Sequence, residues 1–124
     1  MSEVRSYRDL KVRQDAMTLV EGCYRFTREL PKEEIYGLSS PIRRASVSVP
    51  ANIAEGYERD SSGSYVSFLK IAQGSLKELE THLILTQRLK LGSFESAAQL
   101  LSLTDSLGRM LHALMRRIEK SVER

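Results

Sequence analysis

Tryptophan is absent, cysteine occurs once and proline only three times in 124 residues. The lone Cys23 excludes an intrachain disulfide and any all-cysteine metal site. The scarcity of helix breakers favours long helices. The longest uncharged apolar stretch lies within residues 81–86, far short of the roughly 20 residues that a membrane helix needs. The N-terminus, Met-Ser-Glu-Val-Arg-Ser-Tyr-Arg, lacks the apolar segment of a signal peptide, so a cytoplasmic location and no membrane partner are expected. Neither charge sign dominates: the net charge is +3 and the pI about 9.2. Such a balance permits a polyanionic partner without requiring one.

Catalytic and metal signatures are also lacking. Four-helix di-metal sites need Glu-x-x-His on two helices, but Leu79 precedes His82 by three residues and Arg109 precedes His112. No Gly-rich phosphate loop, nucleophile elbow or carboxylate dyad occurs. Cys23 falls on an apolar helical seam, where a thiol behaves as a small hydrophobe. No catalytic residue, metal site or cofactor is therefore expected, and the chain does not read as an enzyme.

What is present is helical periodicity. Hydrophobic residues make up 41% and charged ones 28%, ordinary globular composition for one domain over 1–124 with a polar arm at 1–8. Asp9 caps a first helix to about Leu30, on a seam of Ala16, Leu19, Cys23, Phe26 and Leu30. Pro31 ends it, and 31–37 is a connector. Ser39 or Ser40 caps the second helix, with Pro41 in its first turn. That helix reaches Gly56 or Tyr57, and Pro50 inside it should cause a bend. Asp-Ser-Ser-Gly-Ser at 60–64 is a turn ending in a serine cap. The third helix covers 65–90, with Phe68, Ile71, Leu85 and Leu89 widening its apolar arc. The fourth runs from Phe94 to about 122, with Ser93 or Ser96 as cap. Short connectors between four such segments predict an all-α, antiparallel up-down-up-down four-helix bundle.

The stretch 42–56 stands out. Ile42, Ala45, Val49, Ile53 and Gly56 share one side, yet the other sides hold Ser, Ala and Val, with Arg43, Arg44 and Glu55 as the only charges. A helix so poor in charge is expected to have neighbours on more than one side. Arg44, Ser48, Ala51 and Glu55 share the face opposite the seam. Glu78 sits between Ile71 and Leu85 at the edge of the third helix's apolar arc. A charge half-buried there needs a partner, and either Arg43 or Arg44, within the chain or across an interface, would serve. Arg43, Arg44, Asn52, Glu55, Gly56 and Glu78 are thus expected to be structural or interface residues.

The basic residues give a second signal. On an ideal helix Arg109, Arg116, Arg117, Lys120 and Arg124 fall within about 100° of one another, opposite Leu107, Leu111, Leu114 and Ile118. From Ser106 onward five basic residues face two acidic ones. The stripe is either a solvated face or, multiplied in an oligomer, a site for phosphate backbones. No aromatic residue accompanies it, so base-specific reading of single strands is not indicated there. Arg5, Arg8, Lys11 and Arg13 form a second cluster.

Two motifs carry a resemblance. Ile42-Arg43-Arg44-Ala45 with 48–56 (Ser-Val-Pro-Ala-Asn-Ile-Ala-Glu-Gly), and 68–81 (Phe-Leu-Lys-Ile-Ala-Gln-Gly-Ser-Leu-Lys-Glu-Leu-Glu-Thr), resemble the four-helix-bundle proteins encoded in intervening sequences of bacterial 23S rRNA genes. The match begins weakly at 7–10 and covers nearly the whole chain. That family is similar to the accessory variability protein of diversity-generating retroelements, a basic homopentamer that binds nucleic acid and a reverse transcriptase. The resemblance implies a cytoplasmic bacterial homo-oligomer, with a pentamer favoured, and RNA or DNA as partner. A reverse transcriptase partner is implied only for a retroelement-linked member, and the modest charge points instead to a standalone or rRNA-linked one. Pro41 and Arg13 depart from the family's usual Gln and aromatic residue, which puts the contacts at those positions in doubt. Two functions stay open: a nucleic-acid-binding assembly protein, or an oligomeric scaffold for a protein partner.

Overall fold

The computed structural model describes residues 7–123, with side chains from 9 to 121. Four helices follow in order: α1 (Tyr7–Arg28), α2 (Ser39–Tyr57), α3 (Ser62–Arg88) and α4 (Phe94–Glu123). A single 3-10 turn, Lys32–Ile35, lies between α1 and α2. Helix α1 starts two residues earlier than the cap expected at Asp9; Arg5 and most of the expected arm lie outside the described residues.

Each helix packs on its sequence neighbours, and α1 closes the ring against α4, while the diagonal pairs bring no Cα atoms within 8 Å of each other among the described residues. Alternating direction from α2 to α4 follows from the short connections 58–61 and 89–93. A four-residue link spans at most about 14 Å, whereas α3 alone is about 40 Å long at 1.5 Å per residue. The long-range contacts agree. Asp9 at the start of α1 meets Tyr65 at the start of α3, and Glu29 near the end of α1 meets Ser93 at the start of α4.

The core is the set of seams read from the periodicity. Leu19, Cys23, Phe26, Ile42, Val49, Ile53, Leu69, Leu76, Leu83, Leu107, Leu111, Leu114 and Ile118 are all essentially inaccessible. Each large aliphatic among them contributes about 1.5–3 kcal/mol by leaving water. Three residues expected to widen this core do not. Ile71, Leu85 and Leu89 are exposed, because α3 has α2 on one flank and α4 on the other and this part of its arc faces neither.

The caps follow local chemistry. Ser61, not Ser64, caps α3: its Oγ accepts the Ser64 N–H at 3.1 Å. Ser93 Oγ does the same for Ser96 at α4. Helix α2 has no side-chain cap of its own. Instead Glu34 Oε1, from the 3-10 turn, accepts the N–H of Leu38 at 3.1 Å. Helix α2 continues through Pro50 as one element. At the other end of α3 the chain turns through Lys90, at φ 59°, and the Leu91 N–H reaches back to the Thr86 carbonyl at 2.9 Å.

Candidate nucleic-acid interface

Helix α4 turns Leu107, Leu111, Leu114 and Ile118 fully inward, which fixes its opposite face outward. Arg109, Arg116 and Lys120 are exposed there and Arg117 is half-exposed; Arg124 lies outside the described residues. Arg109 bonds Asp105 one turn back, at 2.5 Å. Arg116, Arg117 and Lys120 have no ion pair among the described residues.

A groove of about 720 Å³ runs between this face and α3. Lys70 and Lys77 flank it on α3, and Asp105, Arg109, His112 and Arg116 on α4. Gly74 and Gly108 leave it open, for nothing lies within 4 Å of where a Cβ would stand at either. Its floor is bridged by Gln73, whose Nε2 donates to the Gly108 carbonyl at 3.2 Å. Lys77 approaches Glu80 only to 3.9 Å, whereas Lys70 has no ion pair among the described residues. The bundle therefore faces Lys70 toward the α4 stripe, a juxtaposition that single-helix periodicity could not reveal.

The residues expected at an interface divide. Gly56 is buried, and a Cβ there would lie 2.8 Å from Phe68 Cβ and 3.1 Å from the Tyr65 carbonyl oxygen, so α3 approaches as close as glycine permits. Asn52 donates to the Ser48 carbonyl at 2.8 Å and to its hydroxyl at 3.0 Å. That hydroxyl also accepts from Ser75, at 2.8 Å, joining α2 to α3. Glu55 pairs with Arg59 at 2.7 Å, and the Arg59 guanidinium lies 4.6 Å from the Phe68 ring centre.

Glu78 is not half-buried, as the sequence suggests, but exposed, and no pair joins it to Arg43 or Arg44 within the chain. The reason is the exposure of Ile71 and Leu85 on the same stripe. Arg43 instead donates from Nε to Thr27 Oγ1 at 2.8 Å, with its guanidinium 4.9 Å from the Tyr24 ring centre. Arg44 bonds the Ser40 hydroxyl. Val47 and Ala51 are exposed and Ser48 half-exposed, an uncharged patch on the outer side of α2.

No group of three or more His, Cys, Asp or Glu residues among those described is placed to hold a metal ion. Burial pushes the Cys23 thiol up from 9.0 to about 12, against a smaller opposing effect of the Ser46 hydroxyl. No helix among the described residues is long and apolar enough to cross a membrane.

The arrangement has relatives. Residues 8–113 match the family model described as 23S rRNA-intervening sequence protein. A crystal structure of a protein of unknown function from the S23 ribosomal protein family of Bacteroides thetaiotaomicron VPI-5482 is similar in fold. Its TM-score is 0.81 at 21% identity, and the match covers 88% of this chain and 98% of that one. No curated protein sequence matches the chain. With 8–113 matched, both motif stretches, α2 and α3 whole, nearly all of α1 and the first two-thirds of α4 included, the chain belongs to the 23S rRNA-intervening sequence protein family.

Proposed function

We propose that this protein is a non-enzymatic, self-assembling bundle that binds structured RNA or DNA through the α3–α4 groove and the basic face of α4. The observation carrying this reading is that Lys70 and Arg116 line one groove, neither held by a carboxylate among the described residues, with Lys120 exposed one turn beyond Arg116. Cations left without partners along a groove suit a phosphate backbone, which supplies repeated negative charge at regular spacing. Assembly multiplies the effect, since each added subunit contributes another groove. Support for assembly comes from the outer face of α3, where Ile71 and Leu85 stand exposed, with Leu89 exposed just past its end. A pentamer is the form implied by the resemblance to the retroelement accessory protein.

Anisotropy titration of a labelled RNA hairpin tests the binding. Affinity should fall steeply between 50 and 200 mM salt, as about 10³-fold losses do for interfaces with several phosphate contacts. Arg116→Glu combined with Arg117→Glu should abolish binding with assembly intact. The alternative, a scaffold for a protein partner, is favoured by the same exposed apolar face. Assembly seen by light scattering, with no binding to any nucleic acid, would favour it instead, whereas a monomer would overturn the self-assembly.

A further inference from the structure

A second arginine cluster lies on α1 and α2 rather than α4. Between α1, the 3-10 turn and the start of α2 is a depression of about 570 Å³, inside the roughly 300–1,000 Å³ range of small-ligand sites. Tyr24, Tyr36, Ser40, Arg43, Arg44 and Val47 line it, and no carboxylate does. Neither arginine is ion-paired among the described residues. Arg43 is held in place by Thr27 and the Tyr24 ring, and no described hydrogen bond engages its Nη groups. Glu34, on the turn itself, directs its carboxylate to the Leu38 N–H. At the rim Tyr36 is 94% exposed.

We propose that this depression takes one unpaired nucleotide of a single strand, its phosphate on Arg43 and Arg44 and its base stacked on Tyr36. The inference rests on the nucleic-acid reading above and deepens it: the α3–α4 groove holds the duplex, and this site, on the opposite side of the bundle, takes a single-stranded segment. Two guanidinium groups without carboxylates suit a phosphate, whose oxygens match their forked donors. A solvated phenol ring beside them supplies a stacking face, on which any base can lie. An acidic peptide would satisfy the arginines and leave that face unused.

The absence of tryptophan makes the test direct. In Tyr36→Trp the introduced indole is the only one in the protein, and titration with a ten-nucleotide oligoadenylate should quench its fluorescence. Labelled oligoadenylate should bind Tyr36→Ala and Arg44→Ala each roughly tenfold more weakly than the parent protein. A blunt RNA duplex should bind both variants unchanged. Circular dichroism controls for folding. Retained oligoadenylate affinity in Tyr36→Ala, with duplex binding intact, overturns the pocket and leaves the groove standing. Loss of duplex binding on Arg116→Glu/Arg117→Glu, with quenching retained, supports both sites as separate. Binding of neither probe by the parent protein overturns both readings. Displacement of oligoadenylate by a ten-residue polyglutamate at equal concentration would assign the pocket to acidic polypeptides and overturn the proposal.

Discussion

Tyr65, near the start of α3, donates its phenolic hydrogen bond to the carboxylate of Asp9, 56 residues earlier in the first turn of α1. Both residues are buried, at 1% and 2% exposure. The Tyr65 ring in turn meets Tyr57 edge-on, with centres 6.2 Å apart. One phenol thus ties α1, α2 and α3 together at one end of the bundle. A hydrogen bond to a carboxylate contributes about 1.5–3 kcal/mol. Tyr65→Phe, which keeps the ring and removes the donor, should lower stability by that amount in urea unfolding. An unchanged midpoint would mean that the contact contributes nothing.

Gly56 and Gly108 should respond oppositely to alanine. At Gly56 the new methyl meets the Tyr65 backbone at 3.1 Å, and α3 must move. Overpacking of this kind costs about 1–3 kcal/mol. At Gly108 there is open space, and a helical Gly→Ala should stabilise by about 0.5–1 kcal/mol. Thermal denaturation of the two variants checks the difference in sign.

Lys90 holds a left-handed turn at φ 59° where glycine is the usual occupant. Lys90→Gly should therefore stabilise the protein by about 1 kcal/mol. Because Lys90 is exposed, little packing is lost in exchange. A lower melting temperature for the variant would contradict this account.

Burial raises the Cys23 thiol to about 12 from 9.0. The folded protein therefore keeps that proton at pH values where the unfolded chain releases it. This contribution is complete below about pH 9 and is lost as pH rises toward 12, by at most about 1.4 kcal/mol per unit. Unfolding free energies of the parent and Cys23→Ala should converge across that window. Thiol reagents at pH 8 should label Cys23 only as fast as the protein opens.

Glu78→Ala separates two explanations of an exposed charge among Ile71 and Leu85. If subunits meet on this face, the variant's melting temperature should lose part of its dependence on protein concentration, since a partner across the interface is removed. In a monomer the substitution should change stability by less than about 0.5 kcal/mol.

The seams made the bundle legible: Ala16, Leu19 and Cys23, or Leu107, Leu111 and Leu114, repeat at helical spacing and lie where periodicity puts them. Periodicity states which residues share a side of a helix, not which flank a neighbour covers. Hence Ile71, Leu85 and Glu78 were expected at the core margin and stand in the open. The α1–α2 depression was illegible for a different reason. Tyr24, Tyr36 and Arg44 come from two helices and a turn, and Tyr36 sits in what the sequence presents as a plain connector. Arginines without carboxylates are a property of the packed surface, visible only once the helices are side by side.

The wide separation of backbones across the diagonals of the bundle bears on how it forms. Every extensive interface except α1 against α4 joins helices adjacent in the sequence, so most native contacts close short loops. Such topologies fold fast, because little chain entropy is lost before contacts compensate for it. Helices α1, α2 and α3 can pack in the order in which they are synthesised. The apolar edges of α1 and α3 that α4 will cover then stay open until the last helix is complete. During that interval another copy's α4 could fill the place, so the moment of greatest risk for exchange between chains is the arrival of the final helix.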